Sequence, residues 1–315
     1  MSETKLQKKL LRERTADQTS MADIYLTRGD RAFHIVNNTL IFLVTLIVLV
    51  PMINVVACSF SKASAINSGK VTLWPVGFNV EAYSMVFNYP LIWNSYGNTF
   101  FYTIAGTAIN IAMTLIAAYP LARRDLPLRG FFTFLFTFTM MFSGGMIPTY
   151  LVYKQIGITN TRWAMLLPGA ISVYNMIIAR TFIMGIPEEL REAAYLDGCS
   201  DARYFFSMVI PLSGTMISVL TLYYAVGHWN SYFNAFMYLS DRTMMPLQVL
   251  LREVLLSVSF DQSMIADAET MAAMAGMSDL MRYAMIVVAS VPILCLYPFL
   301  QKYFVKGVMI GSLKG

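Results

Sequence analysis

Charged side chains are missing from six long stretches of this chain. Residues 32–61, 82–122, 130–153, 163–179, 204–240 and 283–301 contain no Lys, Arg, Asp or Glu. Only 13% of all residues are charged while 57% are hydrophobic, a balance that excludes an ordinary soluble domain. Cysteine is scarce as well: Cys58, Cys199 and Cys295 make no disulfide framework and no metal-ligand spacing, so no metal site is expected. No G-x-x-x-x-G-K-[ST] segment occurs. Without that phosphate-cradling loop the chain is not expected to hydrolyse ATP, and neither catalytic residues nor a cofactor are expected. The apolar runs also lack period-two alternation in ten-residue segments, which argues against a β-barrel.

What remains is helical. A hydrocarbon core about 30 Å thick takes roughly 20 apolar residues as a helix, and helices satisfy their own backbone in lipid. Each run but the fourth reaches that length, and Thr181-Phe182-Ile183-Met184 beyond Arg180 extends the fourth. The expected fold is an all-α integral membrane protein with six transmembrane helices.

Basic residues set the orientation. Lys5, Lys8, Lys9, Arg12, Arg14, Arg28 and Arg31 crowd the N-terminal tail. Arg123, Arg124 and Arg129, then Arg180, Arg191 and Arg203, then Lys302, Lys306 and Lys314 fall on the same side of an even-numbered bundle. Both termini are therefore expected in the cytoplasm. The formal charge of +5 is mainly this topology signal and not a nucleic-acid footprint. The expected layout is a cytoplasmic segment 1–31, a first span 32–61, an outer loop 62–94, a five-helix core 95–305 and a cytoplasmic tail 306–315. Within the core lie an inner loop 185–207 and a long outer loop 233–280. No apolar core precedes the first span, so no separate signal peptide is expected. Val55-Val56-Ala57-Cys58 has the look of a lipoprotein cleavage box but lies too deep in the chain.

Inside the spans, polar and small residues fall in stripes. Thr99, Thr103, Gly106, Asn110 and Thr114 share one helical face, either lining a pathway or packing on a neighbour. Tyr223, Gly227, Asn230 and Asn234 make another, with Tyr224, His228 and Trp229 beside it. Aromatic faces and amides suit sugar rings and hydroxyls; the competing reading is an interfacial aromatic cluster with helix–helix hydrogen bonds. No acidic residue lies inside a span, which disfavours His228 as a proton relay. Gly144-Gly145 and Pro148 are expected to break span three near its outer end. Leu247, Leu250, Leu251, Val254, Leu255 and Val258 recur at helical spacing, predicting an amphipathic helix at the membrane interface. The Met-rich stretch Met264 to Met277 reads as an outer loop, with a binding-protein contact as the second choice.

The inner loop is the most informative segment. Pro187 suits a first helical position, and Glu188 and Glu189 complement the dipole of the first turn. Leu190, Ala193 and Ala194 are expected to form a narrow apolar face, and Gly198 to take a left-handed cap. Glu192 is placed to reach an Arg on a partner, and Arg203 a carboxylate.

Glu192-Ala193-Ala194, then Gly198, then Met208-Val209-Ile210-Pro211 resembles the "EAA" loop of ABC importer permeases, with Met208 and Ile210 replacing the family's Ile and Leu. The ending Tyr303-Phe304-Val305-Lys306-Gly307-Val308-Met309-Ile310-Gly311-Ser312-Leu313-Lys314-Gly315 is similar to the terminus of maltose-type carbohydrate permeases, in the LplC/YtcP-like branch. The resemblance implies a type I ABC importer permease fold that imports oligosaccharides by alternating access. It also implies a second homologous permease subunit, two ATP-binding subunits and an extracytoplasmic sugar-binding protein. Glu192, Ala193, Ala194 and Gly198, with Glu188, Glu189 and Arg203 beside them, would then form the ATPase-coupling site. For Glu188 and Glu189 simple stabilisation of the helix start competes with contact. The rival function is an ion-coupled secondary transporter, which predicts midplane acids and inverted repeats; neither is seen.

Overall fold

Helix α4, Ile92–Ala122, is the post around which the chain is arranged. A computed structural model describes residues 28–261, 276–295 and 298. The N-terminal tail to residue 27, most of the Met-rich stretch and the C-terminal motif lie outside the described residues. Among those described, three helices are long and apolar enough to cross a bilayer: α1 (Arg28–Ser59), α4 and α14 (Gly276–Cys295). Two bent pairs raise the number to five by length and composition. The first is α5 (Arg129–Met141) with α6 (Met146–Gln155), turned by 112° at Gly144-Gly145. The second is α10 (Asp201–Leu212) with α11 (Gly214–Trp229), turned by 78°. The break expected in span three is therefore present.

The fourth apolar run is shorter than expected. It divides into α7, Trp163–Leu166, and α8, Val173–Met184, of only 12 residues. That length spans about 18 Å, well under the hydrocarbon thickness. Leu167-Pro168-Gly169 interrupts the run, and Ser172 restarts the helix by accepting the Asn175 N–H on its Oγ at 3.4 Å.

In lipid, apolar side chains gain little by leaving acyl chains for one another's company, so packing and interhelical hydrogen bonds must join the helices. Helix α4 supplies them from a buried polar face of Ser95, Asn98, Thr99, Thr103, Thr107, Asn110 and Thr114. At one end Asn98 Nδ2 donates to Thr243 O at 2.7 Å, and Tyr102 OH to Met244 O at 2.8 Å. Thr99 Oγ1 accepts the Leu247 N–H at 2.8 Å. These bonds pin the start of α13, Leu247–Asp261. The apolar residues Leu247, Leu250 and Val254 then pack on Ala284, Met285 and Val288 of α14 and on Ala82 and Val86 of α3, Glu81–Phe87. The amphipathic helix expected at the membrane interface is present, but that face is turned into the protein's own core. By contrast, α1 carries exposed apolar residues such as Phe33 and Ile47 along its length and, among the described residues, joins the rest through its last turns, at Asn54, Ala57, Cys58 and Ser59.

Candidate functional site

Short helix α9, Glu188–Leu196, starts after Pro187 and ends on a glycine cap. Gly198 has φ +75°, where a side chain would be strained. Its N–H donates to Tyr195 O at 2.9 Å while the Cys199 N–H donates to Ala194 O at 2.9 Å, the paired bonds of a Schellman motif. The chain turns there, and Ser200 opens α10 by accepting the Arg203 N–H at 3.4 Å. The helix start at Pro187 and the left-handed cap at Gly198 expected from the sequence are thus present.

Which face of α9 is free differs from expectation. Ala194 is buried against Tyr204, Phe205 and Ile183, whereas Ala193 and Leu190 are exposed. Glu189, Glu192, Ala193 and Leu196, spaced at i, i+3, i+4 and i+7, form the outward stripe. Leu196 is 90% exposed. The helix is rotated this way because Arg191, on its other side, is held by two carboxylates: Glu188 at 2.6 Å and Asp125 at 3.4 Å. Glu189, Glu192 and Arg203 make no ion pair among the described residues. Glu188 therefore serves its own helix, and Glu189 and Glu192 stand free.

The sequence reading missed the mount. Arg123, from the turn after α4, pairs with both Asp125 and Asp201, and the Tyr195 hydroxyl donates to the same Asp201 carboxylate. Arg129 and Arg180 both donate through Nε to Leu121 O at 3.0 Å, tying α5 and α8 to the last turn of α4. Hydrogen bonding from Arg123 holds the Asp125 carboxyl well below its ordinary range. Asp201 is lowered by the Tyr195 hydroxyl and by Arg123, and Tyr195 is raised in turn by that hydrogen bond. A cleft of about 490 Å³ opens beside this lattice, lined by Tyr119, Arg124, Gly185, Pro187 and Glu189. The charges of the turn 123–125 were visible in the sequence; their partner segment was not.

The expected pathway residues separate into two sets. Asn110, Tyr224, His228 and Trp229 are engaged inside the bundle. Asn110 Nδ2 donates to Gly169 O at 2.7 Å and to Ala170 O at 3.0 Å, leaving Oδ1 to accept from His228 Nε2 at 2.6 Å. Tyr224 OH meets Thr114 Oγ1 at 2.7 Å, and Trp229 Nε1 donates to Ala289 O at 3.0 Å. The His228 ring lies where a side chain on Gly106 would be, so the glycine permits the approach of α11 to α4. The α4 stripe is thus a packing seam. Tyr223, Gly227 and Asn230 instead face away from the seam and are exposed, with Asn234 half-buried. Among the described residues no group of three or more His, Cys, Asp and Glu is placed to hold a metal.

The family described as "Binding-protein-dependent transport system inner membrane component" matches residues 110–310. The chain belongs to that family. It is 40% identical over 287 residues to the polygalacturonan/rhamnogalacturonan transport system permease protein YtcP of Bacillus subtilis (strain 168), covering 91% of this chain and 99% of the relative. Protein LplC of the same organism is 39% identical over 298 residues, covering 94% and 100%. Among solved structures, a chain of a bacterial ABC transporter involved in import of the acidic polysaccharide alginate matches with a TM-score of 0.80 and 32% identity. That match covers 89% of this chain and 99% of the other. This permease is accordingly a multi-pass membrane component of an ATP-driven importer, with ATP hydrolysis on a separate subunit, and the ion-coupled alternative is set aside.

Proposed function

We propose that this permease imports oligosaccharides delivered by an extracytoplasmic binding protein, and that α9 couples it to an ATPase. The reading is carried by the outward stripe of α9. Glu189, Glu192, Ala193 and Leu196 project from a helix whose opposite side is fixed to α4 and α10 by Arg191, Asp125, Arg123 and Asp201. A helix held so firmly on one side and left bare on the other passes a push from a docked partner into the bundle. The small Ala193 lets the partner's groove approach the backbone, and Glu192 offers it a counter-charge. Gly198 and Ala194 shape the joint from within, and Arg203 lies exposed on the next helix.

The assembly would contain a second, related permease, two ATP-binding subunits and the saccharide-binding protein, with lipid around the exposed apolar faces. The cluster of Arg123, Arg124, Arg129, Arg180 and Arg191 at and beside α9 argues for residues 185–207 on the cytoplasmic side, and the Lys and Arg of the two terminal segments argue the same for both termini. Tyr223, Asn230 and Asn234, on the free side of α11 and just beyond it, are the candidates to meet saccharide. The oligosaccharide reading follows the relatives, whose names and title specify polygalacturonan, rhamnogalacturonan and alginate.

Co-expression with the partner permease and ATPase tests the coupling role. Glu192→Arg is expected to abolish ATPase co-purification and saccharide uptake together while the permease itself remains folded. Normal uptake by this variant would remove the assignment of α9 as the coupling element.

A further inference from the structure

Helix α4 is about 46 Å long, and the end opposite α9 carries a cation, Arg252, that forms no ion pair among the described residues. Two other cations there are matched: Arg242 pairs with Glu253 at 2.6 Å, and Arg282 with Asp279 at 3.0 Å. Asp241 is committed to the backbone and hydroxyl of Thr243, both at 2.8 Å. Arg252, on α13, has no such partner. Its guanidinium lies over the ring of Phe236 at 4.8 Å and that of Tyr232 at 5.3 Å, and no ion pair to it forms among the described residues. Among the described residues Arg162 is also stacked and without an ion pair, but its guanidinium lies over a single ring, Phe101, at 5.0 Å.

Stacking on two rings does more than hold a charge. It fixes the plane of the guanidinium and leaves its N–H edge as the free, directional part. That edge matches a carboxylate with two parallel hydrogen bonds, a geometry Lys cannot copy. Around it Tyr232, Phe233 and Phe236 are each 39–56% exposed, offering apolar faces for the C–H side of a sugar ring. Asn230, two residues before Tyr232, is exposed and adds an amide for hydroxyls. A carboxylate receptor and ring-sized aromatic faces occur together in one short segment of chain.

We propose that Arg252, held on Tyr232 and Phe236, is a recognition point for the carboxylate of an acidic saccharide, a uronate, at the mouth of the transport path. The proposal rests on reading the chain as a saccharide permease and adds the charge class of the substrate. Seven basic residues on the expected outer side are balanced by as many acidic ones, so selection for acid would come from this doubly stacked, directional group and not from the overall field.

The test uses the assembled importer in proteoliposomes with two probes: trigalacturonate, and the same trisaccharide with its carboxyls methyl-esterified. Dividing each variant's uptake by the wild-type value for the same probe removes the binding protein's own preference. Arg252→Gln is expected to lower trigalacturonate uptake about tenfold or more and leave uptake of the ester unchanged. Arg252→Lys, which keeps charge but loses the fork, should fall between. Equal loss for both probes, or loss for neither, overturns the assignment. So does loss of both that added anionic lipid restores, which would mark a headgroup phosphate site. A wild-type complex that assembles and moves only the ester also overturns it. Failure to assemble with an ATPase at all would instead strike the proposed function beneath.

Discussion

Arg123 and Asp201, 78 residues apart in sequence, form an ion pair that joins the end of α4 to the start of α10. Through it the long, well-packed helix α4 and the segment following α9 are tied directly to each other. Breaking such a half-exposed pair costs little stability, about 1 kcal/mol or less, so a loss of function beyond that would report on transmission. Arg123→Gln and Asp201→Asn are expected to leave the complex assembled and hydrolysing ATP while saccharide uptake falls several-fold. The number of ATP hydrolysed per saccharide moved is the measurement. The exchanged pair Arg123→Asp with Asp201→Arg should regain part of the coupling; an unchanged ratio in all three variants would leave the lattice a structural ornament.

The pH dependence of this lattice has a definite sign. A carboxyl whose folded-state pKa is depressed contributes stability that is present above its unfolded value, near 3.9. That contribution is lost as pH falls through the still lower folded value. Arg123 depresses Asp125 in this way, as Tyr195 and Arg123 do Asp201. The small difference in thermal midpoint between wild type and Asp125→Asn should therefore stay constant from pH 8 to 5 and shrink only below about pH 4. Shrinkage between pH 7 and 6 would mean that another group governs the cluster.

Gly106 gives a prediction about the seam. A methyl group there would stand 2.4 Å from Cε1 and Nε2 of His228, in a site without room to yield unless the Asn110–His228 bond is given up. Gly106→Ala is expected to destabilise the permease by about 1–3 kcal/mol, read as a lower unfolding temperature in detergent. Shortening the intruding ring should relieve part of the cost, so Gly106→Ala with His228→Ala should be less destabilised than the sum of the singles. Simple additivity would show that the two residues do not meet.

These relationships mark what the sequence made legible. Features that depend on neighbours along the chain were readable. The break at Gly144-Gly145, the helix start at Pro187 and the cap at Gly198 each follow from the backbone preferences of one or two residues. The spans were readable from missing charge, except where Leu167-Pro168-Gly169 divided the fourth. Pairings across the fold were not. Asn110 and His228 stand 118 residues apart, and nothing in a polar stripe says whether its partner is a substrate or another helix. The turn 123–125 looked like a simple connection because the carboxylate it seeks belongs to a distant loop. The α13 helix was amphipathic by pattern, but pattern alone does not distinguish a lipid surface from α14.

Ala193 and Ala194 carry the same chemistry on adjacent positions and offer the sharpest division between docking and folding. Ala194 is 5% exposed and packed against Tyr204 and Phe205, while Ala193 faces outward. A larger side chain at Ala194 must displace those rings, at about 1–3 kcal/mol for overpacking. At Ala193 it meets only whatever docks there. Ala194→Leu is thus expected to lower the unfolding temperature of the isolated permease and the yield of complex in proportion. Ala193→Leu should leave that temperature within experimental error yet reduce ATPase co-purification, because it fills the gap through which the partner reaches the helix backbone. If both variants lowered the unfolding temperature equally, the rotation of α9 described above would be wrong; if Ala193→Leu kept full ATPase binding, the outward stripe would not be the docking face.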